Sequence, residues 1–239
     1  MPRAYNTRIN DALLAALAID CRRQTGASAV LVDLEGHGRE ELDPSLDLSR
    51  TVGWFTTIFP VLLDLSPDLA AGGGPGGALR SVKETLRALP AQGIGYGLLR
   101  YLSDEAAAAL RRLPPAEIAF NYLGQLDTVL SAGSSLAAAG ESSGLPRSPE
   151  TRRSHALELN AMVAGGCLTC DWTYSERVHR RDGVERLAAG FLDALRDLIA
   201  HCRSPEAGGY TPSDFPDLQL SQDQLDGILE EIGIDFAED

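Results

Sequence analysis

The hexapeptide EGHGRE, residues 35–40, gathers Glu35, His37, Arg39 and Glu40 around two glycines. It follows the apolar run ASAVLVD, which reads as a strand. A strand ending in such a cluster holds functional groups on a loop carried by a rigid scaffold. Glu35 lies nearest the apolar run and is expected to be partly desolvated, which raises a carboxyl pKa and suits general-base work. Gly36 and Gly38 let the backbone bend or approach a ligand. On composition alone, a surface turn of solvated charges is the commoner explanation.

Three other segments carry groups of interest. RTVGWFTTIFP opens with Arg50 and continues through Trp54, Phe55 and Phe59, which by itself reads as a core strand. PAQGIGYG sets Gly93, Gly95 and Gly97 around Tyr96. Its third glycine falls one position early for a dinucleotide fingerprint and no strand directly precedes it, so a close-packed turn is expected. FNYLG puts Asn121 and Tyr122 at a strand end, on opposite faces by alternation unless a bulge intervenes. CLTC has redox or zinc spacing, but on a strand Cys167 and Cys170 face opposite sides and no second pair completes a tetrahedral site. Packing cysteines are expected.

The elements that must position these groups follow from periodicity. A helix is expected over TRINDALLAALAIDCRRQTG, with Ile9, Leu13, Leu14, Leu17 and Cys21 on one face. WFTTIFPVLLDL reads as a second extended run, DLSPDLAAGGGPGGA as a loop, and LRSVKETLRAL as a helix ended by Pro90. SDEAAAALRRL is a helix capped by Ser103, and EIAFNYLGQ is a strand. SAGSSLAAAGESSGLPRSPE reads as a surface loop. HALELNAMVAGG and CLTCDWTYS form an antiparallel pair turning at Gly165 and Gly166. A long helix from Asp182 to Cys202 carries a capping-box spacing at Asp182 and Glu185. Strands and helices alternate irregularly, so the fold class is α/β (α+β), a mixed sheet with flanking helices.

Composition bounds the rest. The net charge of -13 is concentrated after Arg203, where ten acidic residues follow with no base. A near-neutral body gives no electrostatic footprint for nucleic acid. No apolar run reaches membrane-spanning length and the N-terminus lacks a signal-peptide core, so a cytoplasmic protein is expected. Lys83 is the one lysine beside twenty arginines, which reads as coding bias. Two regions are expected, a body over 1–203 and an acidic linker with a short helix over 204–239. In that helix Ser221 and Gln224 form a capping box, and Leu225, Ile228, Leu229 and Ile232 an apolar stripe. It either packs on its own body or docks on a neighbour.

In order, DALLAAL, EGHGRE, RTVGWFTTIFP, PAQGIGYG and AFNYLGQ resemble the signature motifs in the C-terminal half of epimerization domains of nonribosomal peptide synthetases. Those domains belong to the condensation-domain superfamily, built from two chloramphenicol-acetyltransferase-like lobes. The motifs run from about Tyr5 to Ser175, and YTPSDFPDLQLSQDQLDGIL is similar to the segment that follows such domains.

The resemblance implies a single lobe of that fold, in secondary-metabolite and antibiotic biosynthesis. The substrate would be an aminoacyl or peptidyl thioester on the 4'-phosphopantetheine of a peptidyl carrier protein, with no cofactor or metal bound directly and no nucleic acid or membrane partner. The reaction interconverts L and D configuration at the α-carbon. Glu35 matches the family's acid/base residue, and Asn121 and Tyr122 match polar groups at the site. Arg50 through Phe59, Trp54 included, would form wall and floor near the tunnel; His37 and Arg39 would be tunnel or structural residues; Gly93, Gly95 and Tyr96 would be architectural.

The family's other lobe carries H-H-x-x-x-D, whereas His37, His155, His179 and His201 include no adjacent pair. The chain alone is therefore expected to epimerize little, to need that lobe or a neighbouring synthetase domain, and to expose an apolar inter-lobe face. A non-catalytic carrier- or domain-binding module, a condensation-type acyltransferase half and an unrelated α/β domain remain the alternatives.

Overall fold

The computed structural model describes residues 2–40, 45–66, 73–129, 141–142, 144, 148, 150–205 and 207–232. Glu41 to Asp43 at the end of the acidic cluster, part of the Gly/Pro-rich loop, most of the Ser/Ala/Gly loop and the last acidic residues lie outside them. The elements are α1 (Pro2–Tyr5), α2 (Ile9–Thr25), β1 (Ala29–Gly36), β2 (Thr57–Asp64), α3 (Pro75–Arg87), a 3-10 turn (Pro90–Gly93), α4 (Gly95–Leu102), α5 (Asp104–Leu110), β3 (Ile118–Gln125), α6 (Leu126–Val129), β4 (Leu157–Ala164), β5 (Cys167–Tyr174), α7 (Arg181–His201), a 3-10 turn (Pro212–Asp214) and α8 (Gln222–Ile232). The sheet is mixed and five-stranded, in the order β2-β1-β3-β4-β5. Its outer pairs, β1 with β2 and β4 with β5, are antiparallel; β3 runs parallel to both β1 and β4.

One face of the sheet makes the core. Val32, Leu34, Phe59, Val61, Leu63, Ile118, Phe120, Leu157 and Leu159 alternate inward and are buried against α2, α3 and α7. Helix α2 is buried on more sides than one apolar face would allow, with Ala12 through Ala18 all covered, while Ile9 is 40% exposed. The small alanines let neighbouring helices approach closely, so the stripe expected from Ile9 is replaced by burial nearly all round. Because α2 leads into β1, the helix runs back against the strand, and its first turn lies beside the strand's last residues. The same reasoning brings the end of α3 to that edge, since α3 returns along β2.

Helix α3 begins at Pro75, inside the segment expected to be loop. Proline is favoured at a first helical position, where its missing N–H has no partner to lose. Helix α7 starts at Arg181, with no side-chain cap, so the Asp182/Glu185 box is not formed. Asp182 instead accepts from Arg180 and Arg186. The box at α8 is reciprocal: Ser221 N–H donates to Gln224 Oε1 and Gln224 N–H to Ser221 Oγ. Of its stripe only Leu225 is buried; Ile228 and Ile232 are exposed. Cys167 is exposed and Cys170 half-buried on opposite faces of β5, and burial with nearby Asp20 pushes the Cys21 thiol up to about 11.

The other face of the sheet is not covered by these helices. Asp33, Glu35, Asn121, Glu158, Asn160 and Asp171 occupy its strands, with apolar exposure at Ile58 and Leu62 on edge strand β2. Asp33 Oδ2 meets His155 Nε2 at 2.8 Å, and Arg153 meets Glu158 at 3.1 Å. Away from β2 this face is largely polar, with two of its carboxylates paired.

The single lysine has a structural use. Lys83 is 1% exposed, and its Nζ donates to Tyr5 O at 2.9 Å and to Asp214 Oδ2 at 2.6 Å. Asp214 also accepts from Thr211 N and Asn6, and Thr211 is fully buried. The segment after Arg203 is thereby tied to α1 and α3. A buried ammonium needs a charge partner and hydrogen bonds, and a lysine stem crosses apolar packing to reach them.

Two buried carboxylates couple stability to pH with opposite sign. Burial pushes the Asp214 carboxyl up, but hydrogen bonds from Lys83, Thr211 and Asn6 outweigh it and leave it below its ordinary value. Its stabilisation is therefore present above the ordinary carboxylate range and lost as pH falls through the lowered pKa. Lys83→Met leaves a buried unpaired carboxylate and costs about 3–5 kcal/mol by urea unfolding at neutral pH, with Lys83→Met/Asp214→Leu recovering much of it. Asp20 is 2% exposed and packed so closely on Gly190 that a Cβ there would collide with its carboxylate. Burial raises its pKa although Gln24 donates to both oxygens. The folded state then binds the extra proton, so stability falls as pH rises above about 4. Asp20→Asn raises the urea midpoint at neutral pH, a gain that shrinks toward about pH 4.

Candidate functional site

The parallel register of β1 on β3 pairs Val32 with Ile118, Asp33 with Ala119 and Leu34 with Phe120. One step further, Glu35 and Asn121 lie side by side on the uncovered face. Asn121 Nδ2 donates to Glu35 Oε2 at 2.8 Å. The partial desolvation expected of Glu35 is not found, since the residue is exposed. Its hydrophobic neighbour Leu34 points the other way, into the core.

Beyond these pairs the strands part. The β3–β4 register shifts between Tyr122 and Gln125, and Gly124 takes a positive φ. A groove with about 450 Å³ of free volume opens there, between the strand ends and the helix layer. Glu35, Asn121 and Tyr122 all line it, which eases the opposition of faces expected for Asn121 and Tyr122. Tyr122 turns its ring to the core side, and its buried Oη has no hydrogen-bond partner among the described residues. A buried hydroxyl without a partner costs about 1–3 kcal/mol, so it is a group to which a ligand oxygen would be welcome.

The remaining motif residues divide into groove wall and architecture. His37 and Trp54 line the groove, Trp54 at 90% exposure. His37 Nδ1 accepts from Arg39 N–H, and its Nε2 lies 3.3 Å from Glu40. Arg39 donates to Leu48 O and Thr51 O and stacks its guanidinium over Phe55 at 4.4 Å. It fastens the 45–56 segment to the end of β1. Arg50 is an exposed residue of that segment and does not line the groove. Gly93, at φ 84, presses on the Phe59 ring so closely that a Cβ there would overlap the ring carbons. Gly95 and Tyr96 belong to α4, outside the groove lining, and a Cβ at Gly95 would meet open space.

Sequence reasoning missed the helix side of the groove. Arg8 just before α2 and Asn10 and Asp11 in its first turn, with Leu86 and Arg87 from the end of α3 and Leu89 just after it, form that wall. Asp11 is 1% exposed and takes Arg87 at 3.2 and 2.8 Å and Arg8 N–H at 2.7 Å. The signal was present in the antiparallel return of each helix along its strand, but it needs the sheet order to be used.

The chain belongs to the condensation-domain family, whose model matches residues 1–221. It is 47% identical over 235 residues to chondramide synthase cmdD of Chondromyces crocatus, covering 98% of this chain and 6% of that protein. It is 41% identical over 229 residues to bacitracin synthase 3 of Bacillus licheniformis, covering 95% and 3%. The chain thus spans a small fraction of the curated relatives it matches. Among solved structures it overlays on the epimerization domain from the third module of tyrocidine synthetase B, with TM-score 0.70 and 34% identity, covering 82% of this chain and 43% of that one. A PapA2 acyl transferase, at 15% identity and TM-score 0.53, shares the fold.

Gly38 accounts for the second glycine of EGHGRE. It is buried at φ 66, and a Cβ there would run into the Phe55 carbonyl. Gly38→Ala is expected to displace the 51–56 segment and to cost about 1–3 kcal/mol, read as a lower urea midpoint and faster proteolysis within that segment.

Proposed function

We propose that this chain is one lobe of an epimerization-type domain, acting on an aminoacyl or peptidyl thioester carried on a carrier protein's phosphopantetheine. The observation that carries the reading is the Asn121-to-Glu35 hydrogen bond at the groove, in a chain 34% identical to part of an epimerization domain. The amide holds the carboxylate in one orientation at the mouth of the groove. Glu35 takes the α-proton; the C–H electron pair moves into the thioester as an enolate, and the carboxylate becomes a carboxylic acid. A proton delivered to the opposite face of the α-carbon by a group on a second lobe completes inversion, and the reverse reaction exchanges the two roles. In this reading Tyr122 Oη donates to the enolate oxygen, a stabilisation that grows as charge develops.

A second reading, a non-catalytic interaction module, is favoured by one observation. Glu35 is exposed to water rather than desolvated. The two readings part in a single assay: α-proton exchange in D₂O on an L-aminoacyl holo carrier, with this chain alone and with an N-terminal lobe of the family added. Exchange is expected with the added lobe and is expected to fall at least about 10²-fold in Glu35→Gln. Exchange that survives Glu35→Gln removes Glu35 from the mechanism; none from an assembled pair leaves the interaction module.

A further inference from the structure

On the uncovered face of the sheet a serine, a histidine and an aspartate lie in contact. Asp33 Oδ2 is 2.8 Å from His155 Nε2, and His155 Nδ1 is 3.1 Å from Ser154 Oγ. Chemistry assigns the protons. An ionised carboxylate only accepts, so Nε2 carries the hydrogen and donates to Asp33. In the neutral ring Nδ1 is then the acceptor, and the Ser154 hydroxyl donates to it. The three groups form a proton relay that ends in a hydroxyl. The ring is used in the reverse sense to the serine-protease triad, with Nδ1 toward serine and Nε2 toward aspartate.

The fold holds this relay in place. Asp33 and Glu158 stand in one row of the sheet, with Ala119 of β3 between them. That small side chain leaves room for the imidazole to reach from the start of β4 to β1. Arg153 fastens the segment, donating to His155 O at 3.4 Å and Thr173 O at 3.0 Å and pairing with Glu158. The His155 side chain is 11% exposed and Ser154 is fully accessible, which puts a sheltered base beside an open nucleophile. Both line a pocket of about 110 Å³ together with Asn121 and Asn160. The Asn160 amide has no hydrogen-bond partner among the described residues, so its N–H groups are available to an oxyanion developing in that pocket.

We infer that Ser154, His155 and Asp33 form a second, hydrolytic site for short activated acyl groups, esters or thioesters, independent of the role proposed for Glu35. Ser154 Oγ attacks the acyl carbonyl and passes its proton to His155 Nδ1, while Asp33 steadies the imidazolium through Nε2–H. The departing alcohol or thiol takes that proton and leaves an acyl-serine. Water then gives a proton to the same nitrogen and attacks the acyl carbon. The proton returns to Oγ, the carboxylic acid departs, and the relay is restored. About 110 Å³ is well below the roughly 300 Å³ at which sites for drug-sized ligands begin, so the acyl group is short.

The test assays the intact chain on p-nitrophenyl acetate and on S-acetyl-N-acetylcysteamine, an oxygen ester and a thioester, and treats it with a fluorophosphonate mapped by peptide mass spectrometry. Turnover of at least one substrate above the buffer rate is expected, with the phosphonyl group on Ser154. Ser154→Ala and His155→Gln are each expected to lower turnover at least about 10²-fold. Asp33→Asn is expected to lower kcat with little change in KM, the mark of a carboxylate that positions the base rather than the acyl group. Ser154 is exposed, so Ser154→Ala keeps the fold, which an unchanged urea midpoint verifies. Fluorophosphonates spare thiols, so the exposed Cys167 does not imitate the result. Turnover that survives Ser154→Ala, a label on another residue, p-nitrophenyl octanoate hydrolysed as fast as the acetate, or no turnover of either acetyl substrate would each overturn the assignment. The readout is separate from α-proton exchange, so this proposal and the one for Glu35 can each fail alone.

Discussion

Three residue pairs between β1 and β3 join the two halves of the sheet, and the candidate site depends on where that join stops. Antiparallel pairs could have formed on either side without it; only the parallel contact of Val32, Leu34 and their partners places Glu35 next to Asn121. A one-residue slip would send Glu35 into the core and Leu34 outward. Burial of Val32, Leu34, Ile118 and Phe120 therefore guards the register on which the carboxylate–amide contact rests. Because the pairing ends there, the strands separate and leave the crevice at their carboxyl ends where open α/β sheets commonly bind ligands.

The helix layer serves the same edge. Helices α2 and α3 both return antiparallel to their strands, so the start of one and the end of the other meet at the groove. Two ionic contacts hold that layer in place, Arg87 with Asp11 and Lys83 with Asp214. Neither is a surface pair of small effect: Asp11, Lys83 and Asp214 are each within 5% of full side-chain burial, where removing one partner is severe. The Lys83 contact also ties residues 207–214 to α1 and α3. A segment that reads as linker by composition thus contributes the counter-charge for the core's one ammonium.

Much of the fold was legible in the sequence because it rested on local chemistry. Gly165 and Gly166 marked the β4–β5 turn, Ser103 capped α5, and the alternation of CLTCDWTYS separated Cys167 from Cys170 correctly. Glu35 and Asn121 were legible as motif residues, though not as partners, since their contact is set by a parallel register between strands 86 positions apart. The use of Lys83 was hidden because a single buried ion pair leaves no periodic trace. The polarity of the sheet's uncovered face was hidden for a related reason. Alternation in FNYLG, LELN and VDLE puts polar residues outward in those strands, and only their assembly into one sheet shows that they form one polar area beside the apolar edge of Ile58 and Leu62.

That polarity bears on how a second lobe would sit. An apolar face would associate without much orientation, whereas a face of carboxylates, amides and a His155–Asp33 pair rewards only partners that satisfy its hydrogen bonds. Covering it would also remove Glu35 from water, supplying the desolvation that the isolated lobe lacks. A carboxylate intended for proton transfer would then be exposed before assembly and shielded after it. On the proposed reading, assembly and activation of the base are the same event, and the polar face gives that event its geometry.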